Sequence, residues 1–358
     1  MRGHPMGHLN KRLLLLPGLA LLVYPLLPGA SDYVLHVMTL ALIYMVLAMG
    51  LNIVPGFCGL LDLGYVGFYG IGAYTAGLLT IHYGLSFWLI VPLAALNGAL
   101  WGALLGAPTL RLTGDYFAIV TFGFSELVVL FLTNEIWLTR GPLGLPGIAP
   151  VTLDLSWLHP AWYFEFYDKA PNFYLAAVLV ALVFFVMGRM EDSRLGRAWY
   201  AIREDPLAAA CCGVNILHYK VIAFSISAAI GAMGGCFYAR WSMFLSPDMF
   251  KFWESFLVLC MVALGGLGNI KGALVGATIL VCLGEVLREV LAAAGLPPET
   301  RFMAYGLIMV LIMRFRPAGL FPAIAASGRA NPLLVVLGRR IAAGEFSGEK
   351  DDARGTAA

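Results

Sequence analysis

Charge is what this sequence lacks. Only 12% of its 358 residues are Asp, Glu, Lys or Arg, against about 25% in a typical soluble domain. None at all occurs between Asp62 and Arg111. Such a chain cannot dress a water-facing surface, which excludes a soluble globular class. The net charge of +2 gives no electrostatic case for a nucleic-acid partner. The phosphate-binding pattern GxxxxGK[ST] is missing, and GGLGNIKG at 265–272 has the wrong spacing for it. HExxH and GxSxG are also missing, and the six histidines are scattered without metal-ligand spacing. The six cysteines (Cys58, Cys211, Cys212, Cys236, Cys260, Cys282) make no CxxC or CxxxC pair and read as small buried hydrophobes.

What is present is apolar. Hydrophobic residues make up 60% of the chain, and the mean hydropathy is +0.83. A bilayer crossing takes about 20 mostly apolar residues. Ten candidate spans follow, near 13–29, 33–54, 57–81, 86–109, 116–133, 173–188, 219–239, 253–269, 272–294 and 302–316. The expected fold class is an all-α polytopic membrane protein of about ten helices, some broken, with a helix at the cytoplasmic surface. Three parts are expected: an N-terminal segment with the first membrane helix (1–32), a transmembrane domain (33–322) and a polar cytoplasmic tail (323–358). Lys11-Arg12 ahead of an apolar run also fits a secretory signal, although Pro28 suits a cleavage site badly.

Lys and Arg placement sets the orientation. With both termini in the cytoplasm, Arg111, Arg189, Arg194, Arg197, Arg203, Lys220, Lys271 and Arg314 all fall inside. The outer connections keep only Arg140, Lys169, Arg240, Lys251 and Arg301.

Polar groups at membrane depth are the candidate path residues, because such groups normally face protein or water. Glu126 is mid-span. Asp62 lies near the inner end of its span, from where it either reaches the interface or turns inward. Glu285, Arg288 and Glu289 share one helix face, where Glu285 and Arg288 are expected to pair. Asn52, Pro55 and Gly56 are expected to interrupt a helix, with glycines recurring behind them. Freed backbone at that depth survives only where it lines a cavity or is buried. Small residues four apart (Gly98, Gly102 and Gly106; Gly231 and Gly235; Gly272 and Gly276) allow close helix packing, within the chain or against a second chain.

One stretch breaks the oil. Ser193 to Phe224 packs Arg194, Arg197, Arg203, Glu204, Asp205 and Lys220 between two apolar spans, with an Ala-rich middle and a break at Gly213. It reads as a short surface helix on which a partner protein can push.

GFCGLLDLGYVGFYGIGAYTAGLL at 56–79, APTLRLTGDYFAIVTFGFSELV at 107–128, LTRGPLGLPGI at 138–148 and LGRAWYAIREDPLAAACCGVNILHYKVIAFSISAAIGAMGGCFYA at 195–239 occur in order, followed by VALGGLGNIKGALVGA and RPAGLFP. Over residues 33 to 322 the chain resembles the LivM-type permease subunits of branched-chain amino acid ABC importers. It departs from many of them at Asp62 and Tyr65, where they carry Ser and His. The resemblance implies a multi-pass subunit of the bacterial inner membrane, catalysing no bond chemistry, in an importer of Leu, Ile and Val. It implies a second, LivH-type permease chain, two ATPase subunits that hold ATP and Mg, and a periplasmic solute-binding protein. Arg197, Arg203, Glu204, Asp205, Ala208 and Gly213 would then couple to the ATPase, and Asn52, Asp62, Tyr116 and Glu126 would line the path between the permeases. A urea or short-chain amide importer shares the pattern; an ATP-independent channel or secondary transporter is the reading from another class.

Overall fold

The computed structural model of the protein describes Pro25, residues 31–109, 115–154, 163–165 and 169–293, Gly295, Pro297, and residues 300–315 and 319–321. The expected first span, the block at 110–114 and the tail at 323–358 lie outside the described residues. The long helices are α1 (Asp32–Asn52), α2 (Tyr65–Tyr83), α3 (Phe87–Thr109), α4 (Asp115–Asn134) and α5 (Lys169–Glu191). Two short ones follow, α6 (Arg194–Glu204) and α7 (Pro206–Cys211). Then come α8 (Ile216–Ser242), α9 (Phe252–Gly265), α10 (Ile270–Ala293) and α11 (Thr300–Phe315). Among the described residues, six helices are long and apolar enough to cross a membrane: α1 with its extension to Cys58, α3, α4, α5, α8 and α10. The number fulfilling that standard is therefore below the ten expected. α9 and α11 are shorter, at 14 and 16 residues, and the hydropathy of α2 is diluted by four glycines and two alanines in GFYGIGAYTAG.

Helix α8 is the hub. It packs most extensively on α3 and α2, then on α1. The glycine ladders explain how. A Cβ placed on Gly98 would sit 2.5 Å from the Ala232 Cβ, and one on Gly102 would sit 2.7 Å from the Ala228 Cβ. Gly235 lies against the Tyr69 carbonyl of α2, and Gly276 against the Met261 carbonyl of α9. These ladders are used inside the chain. Backbones that approach this closely gain dispersion contact, which must replace a hydrophobic driving force that lipid does not supply. Aromatic rings fill the remaining space, with Phe250 edge-on to Tyr69 and Tyr74 at 5.2 and 5.9 Å between centroids.

The expected interruption at Asn52–Gly56 is displaced. Asn52 is the last α-helical residue of α1, and Ile53–Cys58 continues as a π-helical turn. The wider turn accommodates Pro55, which has no N–H to give and whose ring would crowd an α-helical carbonyl. The break comes later, at Gly59, in the left-handed region with φ +71°, and the chain becomes helical again only at Tyr65. The third expected span is thus a π-turn, a non-helical link and α2.

At the opposite end of the bundle, two antiparallel strand pairs order the connections: β1 (Leu145–Pro146) with β4 (Phe244–Leu245), and β2 (Thr152–Asp154) with β3 (Tyr163–Glu165). Arg240, 2% exposed, gathers this end. Its Nη1 donates to the carbonyls of Ala149 (3.2 Å) and Pro150 (3.0 Å), and its Nη2 to that of Leu85 (2.7 Å). Arg288 pairs with Glu285 at 3.2 Å as expected, and its guanidinium also lies over the Tyr33 ring. Of the cysteines, Cys58, Cys236 and Cys260 are buried, whereas Cys211, Cys212 and Cys282 are exposed. The uniform buried reading fails for the latter because they fall on the outer sides of α7 and α10.

The packing separates two glycines sharply. Nothing lies within 4 Å of a Cβ on Gly123. In thermal unfolding of the detergent-purified chain, Gly98→Val is expected to cost about 1–3 kcal/mol through overpacking, while Gly123→Ala leaves the transition unchanged or raised.

Candidate coupling and translocation site

Each turn of the charged stretch has a local cause. Ser193 caps α6, its Oγ accepting from the amides of Leu195 (3.1 Å) and Gly196 (3.5 Å). Asp205 ends α6 and starts α7, its Oδ1 accepting from Leu207 (2.8 Å) and Ala208 (3.1 Å), with Pro206 in the first helical position. Gly213 ends α7 with φ +82°, while the Val214 amide reaches back to the Ala209 carbonyl at 3.1 Å. Asn215 then caps α8 through the His218 amide at 3.2 Å. The two helices are an ordered module, not a floppy connection.

The module is plugged into the broken end of α1. Helix α6 buries Gly196, Ala198, Trp199 and Ile202 on one side. Trp199 is fully buried, stacks on Phe57 of the π-turn at 6.3 Å, and donates its indole N–H to the Tyr219 carbonyl at 2.8 Å. Tyr200 meets Phe57 edge-on at 5.4 Å. Arg203 donates to the carbonyl of Gly56, and its Cγ lies 3.2 Å from where a Cβ on Gly59 would be. A cation placed on an orphan carbonyl at a helix C-terminus satisfies both its lone pair and the helix dipole. The next link is Asn52, fully buried, whose Oδ1 accepts from the Gly268 amide at 2.9 Å in the turn between α9 and α10. The carbonyls of Leu264 and Gly265 in turn take the amides of Leu320 and Phe321, both at 2.9 Å. A continuous set of contacts therefore runs from α6 through the π-turn to the α9–α10 turn.

The expected coupling residues divide by what they touch. Arg203 holds the π-turn, Arg197 donates to the Asp192 carbonyl at 3.0 Å, Asp205 is a cap, and Gly213 is a left-handed stop. Glu204 and Ala208 are exposed. Sequence reasoning missed Leu207, an apolar side chain 75% exposed at the tip of the module, and the Trp199–Phe57 plug. A leucine directly after a helix-starting Asp-Pro, on the side away from Ala209, was the available signal.

The expected path residues occupy separate places. Asn52 and Asp62 are buried, at 0% and 1% exposure. Asp62 turns inward: its Oδ1 accepts from the Gly64 amide at 2.9 Å, while its Oδ2 meets no hydrogen-bond partner among the described residues. The Asn52 Nδ2, the Tyr65 hydroxyl and the Ser125 hydroxyl are likewise buried without partners among them. Tyr116 is 70% exposed on α4, on a face with Ile119, Gly123 and Leu130. Glu126, half-buried, flanks that face and makes no hydrogen bond or ion pair among the described residues. A mid-span carboxylate left this way is not a lipid-facing group.

Six apolar helices long enough to cross a membrane, with a capped surface module fastened to an irregular helix end, define a multi-pass membrane protein. This chain belongs to the family described as branched-chain amino acid transport system, permease component, which matches residues 33–313. It is 42% identical over 299 residues to the high-affinity branched-chain amino acid transport system permease protein LivM of Salmonella typhimurium, covering 79% of this chain and 69% of that protein. The Escherichia coli LivM gives the same identity and coverage. The Escherichia coli LivH permease is 24% identical over 300 residues, or 79% of this chain and 92% of that protein. No solved structure matches.

Arg203→Met removes the bond to Gly56 while keeping the aliphatic stem. A hydrogen bond to a charged group contributes about 1.5–3 kcal/mol. Hydrogen–deuterium exchange of residues 194–213 should accelerate at least tenfold in this variant, with exchange in α3 and α8 unchanged.

Proposed function

We propose that the chain is the LivM-type permease of an ATP-driven importer of branched-chain amino acids. The observation that carries this reading is the α6–α7 module: fastened on one side to the broken α1, and open on the other through Glu204, Leu207 and Ala208. Such an element transmits force only if a second protein seats on the open side, and the chain's own sequence holds no phosphate loop. Two ATPase chains carrying ATP and Mg are the fitting partners, with the module on the cytoplasmic side as Lys and Arg placement indicates. To the six long apolar helices the ten-span reading adds α2, α9 and α11, which fall short of the crossing standard in hydropathy or length, and the apolar run read from the sequence at 13–29.

The path runs along the open face of α4, between this chain and a LivH-type permease. Glu126 and Tyr116 supply polar points there, and a solute-binding protein delivers the amino acid at the outer end. A zwitterion needs such partners, since an uncompensated charge in an apolar medium is expensive. The 42% identity to two proteins named for branched-chain amino acid transport supports the solute class.

The test is uptake by the reconstituted four-chain complex with its binding protein. Leu207→Glu and Gly213→Ala should each lower leucine transported per ATP hydrolysed by at least fivefold while the complex still copurifies. A left-handed backbone costs a non-glycine residue roughly 1–2 kcal/mol, which loosens the module's end. Normal coupling in both variants refutes the docking role. Binding of urea or acetamide in place of leucine by the partner protein corrects the solute, and ATP-independent uptake by this chain alone establishes a channel.

A further inference from the structure

An open groove lies away from the coupling module, between α2, α3 and α4. Its volume is about 400 Å³, within the ~300–1,000 Å³ of ligand pockets. Its walls are Ile71 and Leu78 of α2, Trp101 of α3, and Leu127, Val128 and Phe131 of α4. It ends at Leu138 and Thr139, in the one-turn helix Ile136–Thr139 that follows α4.

Three observations say what fits. The polar side chains in the wall are mostly satisfied internally: Asn97 donates to Thr75 at 2.8 Å, and Thr139 donates to the carbonyls of Leu132 (2.7 Å) and Glu135 (2.8 Å). The exception is Tyr74, 2% exposed, which lines the groove and whose hydroxyl has no partner. Directly beyond Thr139 stands Arg140, exposed, in a left-handed conformation with φ +58°, and without an ion pair among the described residues. Exposed Trp137 precedes it, a residue type that settles at membrane interfaces. The occupant is thus a long hydrocarbon with one hydrogen-bond acceptor and an anionic end.

A zwitterionic amino acid does not fit, because no carboxylate lines the groove to balance its ammonium. The second permease is also placed elsewhere. Glu126, which needs protein cover, is two residues from both Phe124 and Val128, and at ~100° per residue it points about 160° away from each of those groove residues. The groove is on the other flank of α4, beside the exposed Leu100 and Trp101 of α3. Two further grooves, of about 250 and 210 Å³ between α3, α5 and α8, have no such unpartnered polar group in their walls.

We propose that the α2–α3–α4 groove binds one anionic glycerophospholipid, its acyl chain along Val128, its ester carbonyl satisfying Tyr74 and its phosphate on Arg140. The site rests on the chain spanning a membrane and not on the identity of the transported solute.

Native mass spectrometry of the full-length chain, purified in mild detergent and titrated with phosphatidylglycerol or phosphatidylcholine, tests it. The wild type should hold one phosphatidylglycerol after washing, at least tenfold tighter than phosphatidylcholine. Arg140→Gln should abolish that preference, and Val128→Trp should displace the lipid. Leu127→Trp, on the exposed rim, is the companion variant should Val128→Trp fail to elute as a single species. Equal lipid retention in the filled variants, or equal affinity for the two headgroups in the wild type, overturns the proposal. So does a photocrosslinker at Val128 that captures the second permease in the assembled complex.

Discussion

A backbone that leaves the α-helix inside a bilayer must find partners for every amide and carbonyl it frees, because lipid offers none. In this protein that requirement falls on the end of α1. Pro55 forbids ordinary helical bonding, the π-turn carries the chain past it, and Gly59 turns it away. The freed Gly56 carbonyl is then taken by Arg203 of α6, while the Asn52 side chain accepts from the Gly268 amide of the α9–α10 turn. Satisfying the break is what joins the surface module, α1 and the α9–α10 turn. The same bonds that allow α1 to be irregular make it sensitive to anything that moves α6.

The division between fixed and movable elements follows from the packing. Close glycine–alanine packing fixes α8 against α2 and α3, so those helices have little freedom to slide. The elements with freedom are those whose contacts are polar, few and directional. Functional motion is expected there and not in the glycine-packed centre.

Much of this was legible in the sequence. Apolar runs located α1 to α5 and α8 to α11, since a span's length and hydropathy are local properties. Gly213 announced the break in the charged stretch, whereas the caps at Ser193, Asp205 and Asn215 emerged only from the structure. The Glu285–Arg288 pair followed from its spacing. Other features depended on the third dimension. Asn52-Pro55-Gly56 signalled an irregularity but not whether the chain would break there or absorb the proline in a wider turn. Asp62 could reach the interface or turn inward, and only packing against α4 decided it. Arg203 looked like a group for a partner protein, yet its bond is to this chain's own Gly56, a residue 147 positions away. The exposed Leu207 and the buried Trp199 are separated only by which side of the module faces the bundle.

Arg240 gives the far end of α8 a different character. One guanidinium holds three carbonyls from two connections, after α2 and ahead of β2, while the near end of α8 carries the Tyr219 carbonyl bonded to Trp199 of the surface module. A rod anchored at one tip and gripped at the other, with α2 and α3 packed along it, has one easy response to a sideways load, which is to swing with them as one body about the anchor. Arg240 is then the fulcrum. A small displacement imposed at Trp199 would fade along α8 toward zero at the outer turns, leaving those surfaces in place while the inner half of the bundle opens.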